Sequence, residues 1–169
     1  MSNKSSFLTF SQTKPNFVVD DMLKGLIRWL RFLGFHSISI ATWNEISERL
    51  KNKADFIFIT DSHRNFNKYQ DMKLETVLIK SSDIAIQLSE LNSILNIYKQ
   101  MELLTICSEC NVEIVAVNKE SILSQVPEAI SKTHKHFWQC PKCNRIYWEG
   151  GHIGRLKAKL RQMGIPIQN

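Results

Sequence analysis

Apolar residues recur with two different periods along the chain. Phe17, Val18 and Val19 form a short continuous run, and its β-branched pair favours a strand. From Met22 the period changes. Leu23, Leu26, Ile27, Leu30 and Leu33 recur at three- and four-residue steps, which predicts an amphipathic helix with Lys24, Arg28 and Arg31 on its polar side. Gly34 suits the helix C-terminus. Phe35 to Ile40 alternates loosely and reads as a second strand. Trp43-Asn44-Glu45 opens a second helix running to about Leu50, with Glu45 and Glu48 on one side. FIFIT, Phe56 to Thr60, is almost wholly apolar, as a central parallel strand covered on both faces would be. Asp61, Ser62, His63 and Arg64 follow as an expected surface loop. Thr76 to Ile79 predicts another strand, and Ser81-Ser82-Asp83 caps a long helix from Ile84 to Leu95.

This order of elements predicts an α/β fold: a small three-layer domain with a mostly parallel sheet over residues 16–100. Residues 101–169 read as a second unit. There Val112 to Val117 and Ile146 to Trp148 alternate as strands, Lys119 to Leu123 begins a short helix, and Arg155 to Gly164 forms a basic amphipathic helix. A length of 169 residues suffices for one core plus such an appendage. No apolar run approaches the roughly 20 residues a membrane helix needs. The polar N-terminus lacks the apolar core of a signal peptide, so a reducing cytoplasm is the expected compartment. A formal net charge of +6 favours a polyanionic partner.

Two candidate sites emerge. Two strands, FVV and FIFIT, are each followed by aspartate. In a parallel sheet Asp20 and Asp61 share one edge, where converging carboxylates would suit magnesium or manganese. The residues alone also allow a plainer role, with each aspartate capping the segment after it. The second site is sharper. Cys107 and Cys110, then Cys140 and Cys143, are the only cysteines, in two C-x-x-C pairs separated by twenty-nine residues. Two such pairs supply the four thiolates of a closed, structural zinc site, leaving no open position for water.

With these residues in view, the chain resembles the Mut-seven C-terminal RNase domain family. The resemblance lies in FVVDDMLKGLIRWLRFLG, in FIFIT with Asp61, in Val126-Pro127, and in FWQCPKCNRIYWEGGH with its upstream knuckle. It spans roughly Asn16 to Leu160. It implies a PIN-like nuclease fold followed by a zinc ribbon, and metal-dependent hydrolysis of RNA phosphodiester bonds. It also implies roles for single residues. Asp20 matches the first-strand aspartate, Arg28 and Arg31 match a basic helix, and His152 matches the histidine after the ribbon. Where that family reads T-R-D, this chain reads Thr60-Asp61-Ser62. Asn44 and Glu45 compete for the acidic place on the preceding helix, and His36 stands for an aspartate.

The expected catalytic set is therefore Asp20, Asp61 and Glu45, aided by Glu48. Magnesium or manganese would lie on Asp20 and Asp61, and Arg28, Arg31, Arg64 and His152 would meet RNA. The alternative is a catalytically impaired RNA-binding or ribosome-associated module that keeps the fold and the ribbon. A protein-interaction domain built on the ribbon is a third reading.

Overall fold

The structure is a computed structural model that describes residues 14–49 and 55–167. The first apolar run forms β1 (Asn16–Val19). A single 3-10 turn, Asp21–Leu23, leads into α1 (Lys24–Phe32). Gly34 ends this unit at φ +81°, where a Cβ would lie 2.1 Å from the Glu102 carbonyl oxygen. Conformation and space both exclude a side chain there. Gly34→Ala is expected to lower stability by at least about 2 kcal/mol, read from urea unfolding of the two proteins.

β2 (Ser37–Ser39) runs into α2 (Ile40–Ile46) without a loop. The helix starts earlier than the apolar pattern predicts, because the Ser39 side chain accepts the Thr42 amide and caps it. After β3 (Phe56–Thr60) comes α3 (His63–Asp71), in place of the expected loop. Its apolar content is low, with only Phe66 and Tyr69 at helical spacing, and Ser62 caps it by accepting the Asn65 amide. β4 (Thr76–Leu78) and α4 (Ile84–Leu95) follow as expected, with Asp83 accepting the amides of Ala85 and Ile86.

The four strands lie in the order β2-β1-β3-β4, every neighbour parallel. Alternation along the strands divides the core in two. Phe17, Val19, Ile57 and Ile59 face α1 and α4, meeting Leu26, Leu30, Leu88 and Leu91. Val18 and Phe58 face the other way, onto Trp43 of α2 and Tyr69 of α3. The α/β expectation with a parallel sheet therefore holds.

The cysteine region carries a second sheet, antiparallel, made of β5 (Val115–Val117), β6 (Phe137–Gln139) and β7 (Ile146–Trp148). Its own core is small: Ile122, Val126 and Phe137 are its buried members. A short helix, α5 (Glu128–Thr133), follows Pro127. The last helix, α6 (Gly151–Gln162), begins four residues before the expected start at Arg155. It does not stay with the small sheet. Leu160, and Ile165 just beyond the helix, are buried in the same cluster as α1 and α4. No helix among the described residues is long and apolar enough to cross a membrane.

Candidate functional site

The register pairs Val19 with Ile59, so the next residues, Asp20 and Thr60, stand side by side at the C-terminal edge of β1 and β3. The chain leaves these two strands in opposite lateral directions, which makes their junction the crevice where open parallel sheets bind ligands. Asp20 is 5% exposed. Its carboxylate does not cap the turn that follows. Instead it accepts three hydrogen bonds from neutral donors: Thr60 Oγ1, Asn65 Nδ2 at 2.8 Å and the Tyr69 hydroxyl at 3.0 Å. Asn65 and Tyr69 sit four residues apart on α3, so one helix face delivers both. Burial, with the nearby Asp20 charge and hydrogen bond, holds the Tyr69 hydroxyl well above its ordinary pKa, so it stays a donor. Among the described residues no cation pairs with Asp20.

Asp61 follows Thr60 by one residue and opens to the other side. A one-residue step along an extended chain reverses the side-chain direction. Asp61 is exposed and lines a cleft of about 510 Å³ with Met22, Leu23, His63, Gln87 and the 78–82 segment. Ser62 is the α3 cap, and Arg64 is exposed on that helix. Glu45 on α2 and Glu48 just after it are both exposed. Asp20, Asp61 and Glu45 do not gather three ligand atoms within 4.8 Å; among the described residues only the cysteines form such a group.

The four cysteine sulfurs lie within 4.8 Å of one another and form no disulfide. Cys107 and Cys143 are 3.8 Å apart, the separation that a tetrahedron of roughly 2.3 Å metal–sulfur bonds sets at about 3.8 Å. The two knuckles are built alike. Each ends in a left-handed asparagine, Asn111 or Asn144, whose amide returns to the carbonyl of the first cysteine. The amides of Cys110 and Cys143 point at the sulfurs of Cys107 and Cys140. Burial works against a thiolate at Cys107, but hydrogen bonds from the Tyr147 hydroxyl and from backbone amides outweigh it and bring the thiol down to about 6. A sulfur-only donor set, half buried and fed by amides, fits a soft divalent metal ion such as zinc.

Arg31 ties this centre to the α/β layers. Its Nε and Nη2 donate to the Ser37 carbonyl, and Nη1 donates to the carbonyls of Ser108 and Glu109 at 2.8 and 2.9 Å. Partial burial lowers its pKa, opposed by the neighbouring cysteines and Glu109. Expected at RNA, Arg31 here directs its donors into backbone. Asn111 adds two more ties, accepting the Ser37 amide through its side chain and meeting His36 Nδ1 through its carbonyl.

Arg28 is different. It is mostly exposed, lies 3.8 Å from Glu109 and packs over the Phe32 ring. It borders two clefts of about 370 Å³ each. One, with Lys24, Ser39 and Thr42, reaches the sheet edge and the first knuckle. The other runs between α1 and α6, with Trp29, Phe32 and Lys159, whose ammonium lies over the Trp29 ring at 5.2 Å. Arg28 thus joins them into one basic track. The backbone places His152 in the first turn of α6; its side chain lies outside the described residues.

A family model, the Mut7-C RNAse domain, matches residues 15–160. The chain belongs to this family. Comparison with curated proteins and with solved structures gives no match. The Mut7-C match takes in both the acidic edge and the four-cysteine centre, and it stops at Leu160, where α6 enters the core. A Mut7-C domain points to a nuclease with RNA as what it acts on, and its cysteine centre to a bound metal ion.

Several residues of the site are not apparent in the sequence. Thr60, Asn65 and Tyr69 become legible only once α3 is known to cross the end of β1. The asparagine following each C-x-x-C was a usable signal for Asn111, since the motif C-x-x-C-N occurs twice.

Proposed function

We propose that this Mut7-C protein is a metal-dependent ribonuclease with a PIN-like centre at Asp20, and that its four-cysteine centre holds structural zinc. One observation carries the first part. A buried carboxylate is normally matched by a cation or a metal, and Asp20 has only neutral donors around it. Magnesium needs no more than one or two carboxylates, completing its sphere with water and substrate phosphate. When bound, such an ion neutralises charge on the phosphate and lowers the pKa of a water beside it. The chain's own residues do the rest. Thr60, Asn65 and Tyr69 hold the carboxylate in one orientation and prevent its rotation. Arg28 and Lys159 hold the RNA backbone along the track, with Trp29 and Phe32 beneath it. Four reduced thiols suit a cytoplasmic setting.

The test is cleavage of single-stranded RNA by purified protein with manganese, with magnesium and with a chelator. Cleavage only with a divalent ion supports the reading; indifference to the ion sinks it. A second reading has its own support. Asp61 opens away from Asp20, and Ser62 is a cap rather than a carboxylate, as befits a protein that binds RNA without cutting it. RNA binding in the same preparation without metal-dependent cleavage would favour that reading. Either way the track should matter. Arg28→Ala is expected to weaken RNA binding and to reduce the slope of log K against log salt by about 0.7 for each phosphate that Arg28 neutralises. Fluorescence anisotropy across a salt series reads this, and an unchanged slope would remove Arg28 from the interface.

A further inference from the structure

The tryptophans of the chain differ in their surroundings. Trp43 packs on Phe56 and Phe58, Trp29 lies under the Lys159 ammonium, and Trp148 packs against the small core of the antiparallel sheet. Trp138 has no such partner. Among the described residues its side chain makes no hydrogen bond, ring contact or cation contact, and it belongs to no apolar cluster. The strand register gives the reason. Ala116, Trp138 and Tyr147 pair across β5, β6 and β7, so they share one face of that sheet. Val117, Phe137 and Trp148 take the opposite face, which Ile122 and Val126 cover. On its β5 side Trp138 meets only the methyl group of exposed Ala116, and the indole borders an open cleft of about 350 Å³. Lys119, Lys135 and His136 line the same cleft against a single carboxylate, Glu120. Neither lysine has an ion pair among the described residues.

We propose that this face is a stacking platform for an unpaired base of single-stranded RNA, with Trp138 beneath the base and Lys119 and Lys135 on the flanking phosphates. An indole that no protein ring covers leaves apolar area in water, and every base has a π-face to match it. A protein segment would also cover apolar surface. Two unpaired lysines beside the ring, in a chain of formal net charge +6, fit a polyanion better. Continuity with the basic track favours the same occupant. Tyr147 ends the row at Cys107, to which its hydroxyl donates, and Arg145, two residues earlier, shares the Glu109 carboxylate with Arg28 of α1. A base inside a duplex offers no free face, so the strand bound here is unpaired. The antiparallel sheet then grips RNA as well as bracing the fold. The platform rests on the reading of this protein as one that acts on RNA, but its test does not depend on cleavage.

The test is fluorescence anisotropy of the full chain with two labelled strands of about twelve nucleotides. One is single-stranded RNA; the other is an abasic strand with the same backbone and charge. Trp138→Ala is expected to weaken the RNA about tenfold and to leave the abasic strand as it was. Trp138→Phe should keep most of the parent's affinity, because a phenyl ring also stacks. Lys135→Ala should instead weaken both strands alike and lower the salt slope by about 0.7. Trp138 stands outside the apolar clusters, so Trp138→Ala should keep the parent's Tm. If it folds poorly, Trp138→Phe decides by another readout. RNA should quench the tryptophan emission of the parent more than that of Trp138→Phe, and equal quenching overturns the proposal. So does RNA affinity untouched by Trp138→Ala, the result expected if this face takes a protein partner. Equal weakening of both strands by Trp138→Ala is what a merely structural role gives, and it overturns the proposal as well. RNA cleavage with binding indifferent to Trp138 would sink the platform and leave the ribonuclease reading standing. Binding that needs both the bases and Trp138, without cleavage, would do the reverse.

Discussion

Cys140→Ser is expected to strip the metal from the chain and to unfold more than the small sheet. Cys140 is fully buried, and its sulfur receives the Cys143 amide. The antiparallel sheet rests on three buried apolar residues, far too few to hold three strands together. On the structural-zinc reading proposed above, metal binding supplies the missing free energy; structural zinc in small domains is worth on the order of 10–16 kcal/mol at neutral pH. The loss should spread, because the first knuckle is tied to the α/β layers. Arg31 bonds the Ser108 and Glu109 carbonyls, and Asn111 bonds Ser37 and His36. Without the metal these anchors loosen, and the start of β2 and the outer side of α1 lose a neighbour. The measurements are metal content by elemental analysis, Tm and limited proteolysis. Metal-free protein with a sharply lower Tm and new cleavage between residues 101 and 150 is the expected result. One equivalent of metal retained, or an unchanged Tm, would mean that the centre does not hold the fold.

The second large effect concerns Asp20. Asp20→Asn should fold as well as the parent or better, yet lose metal-dependent RNA cleavage. Removing one anionic ligand takes away several kcal/mol of transition-state charge stabilisation, on the order of a thousandfold in rate. The fold should tolerate the change for a specific reason. Thr60 Oγ1 and Asn65 Nδ2 both donate to one oxygen, Oδ2, while only the Tyr69 hydroxyl meets Oδ1. An asparagine keeps its oxygen toward the first two and turns its amino group toward Tyr69, whose hydroxyl accepts as readily as it donates. A buried charge with no cation partner is also removed. Thermal unfolding with and without manganese gives a readout separate from activity. The parent should gain Tm with the ion by mass action, and the variant should not. Equal cleavage by both proteins would end the case for this centre.

Much of the fold is legible in the residues because the physics there is local. The apolar runs of β1 and β3, the three- and four-residue spacing of α1, and the capping Asp83 follow from burial and hydrogen bonding within a few residues. The helix α3 is not legible in this way. His63 to Asp71 is nearly all polar, and it forms because Ser62 caps it and Tyr69 finds a pocket against Phe58. The C-terminal helix reads as part of the cysteine unit, but Leu160 completes the core beneath α1. Nothing in a helical repeat tells which apolar face it will meet.

The sequence by itself determined that the chain has a parallel α/β layer, two C-x-x-C pairs that suit one metal ion and membership of the Mut7-C RNAse domain family, since spacing and motif are properties of the chain. The tertiary structure alone decided what each candidate carboxylate faces. Asp20 and Asp61 look equivalent in sequence, one after each strand. The register sets Asp20 beside Thr60 and under α3, and the next residue, Asp61, turns to the cleft over α4. Strand alternation makes that outcome hinge on a single residue's offset, and only the pairing of β1 with β3 fixes the offset.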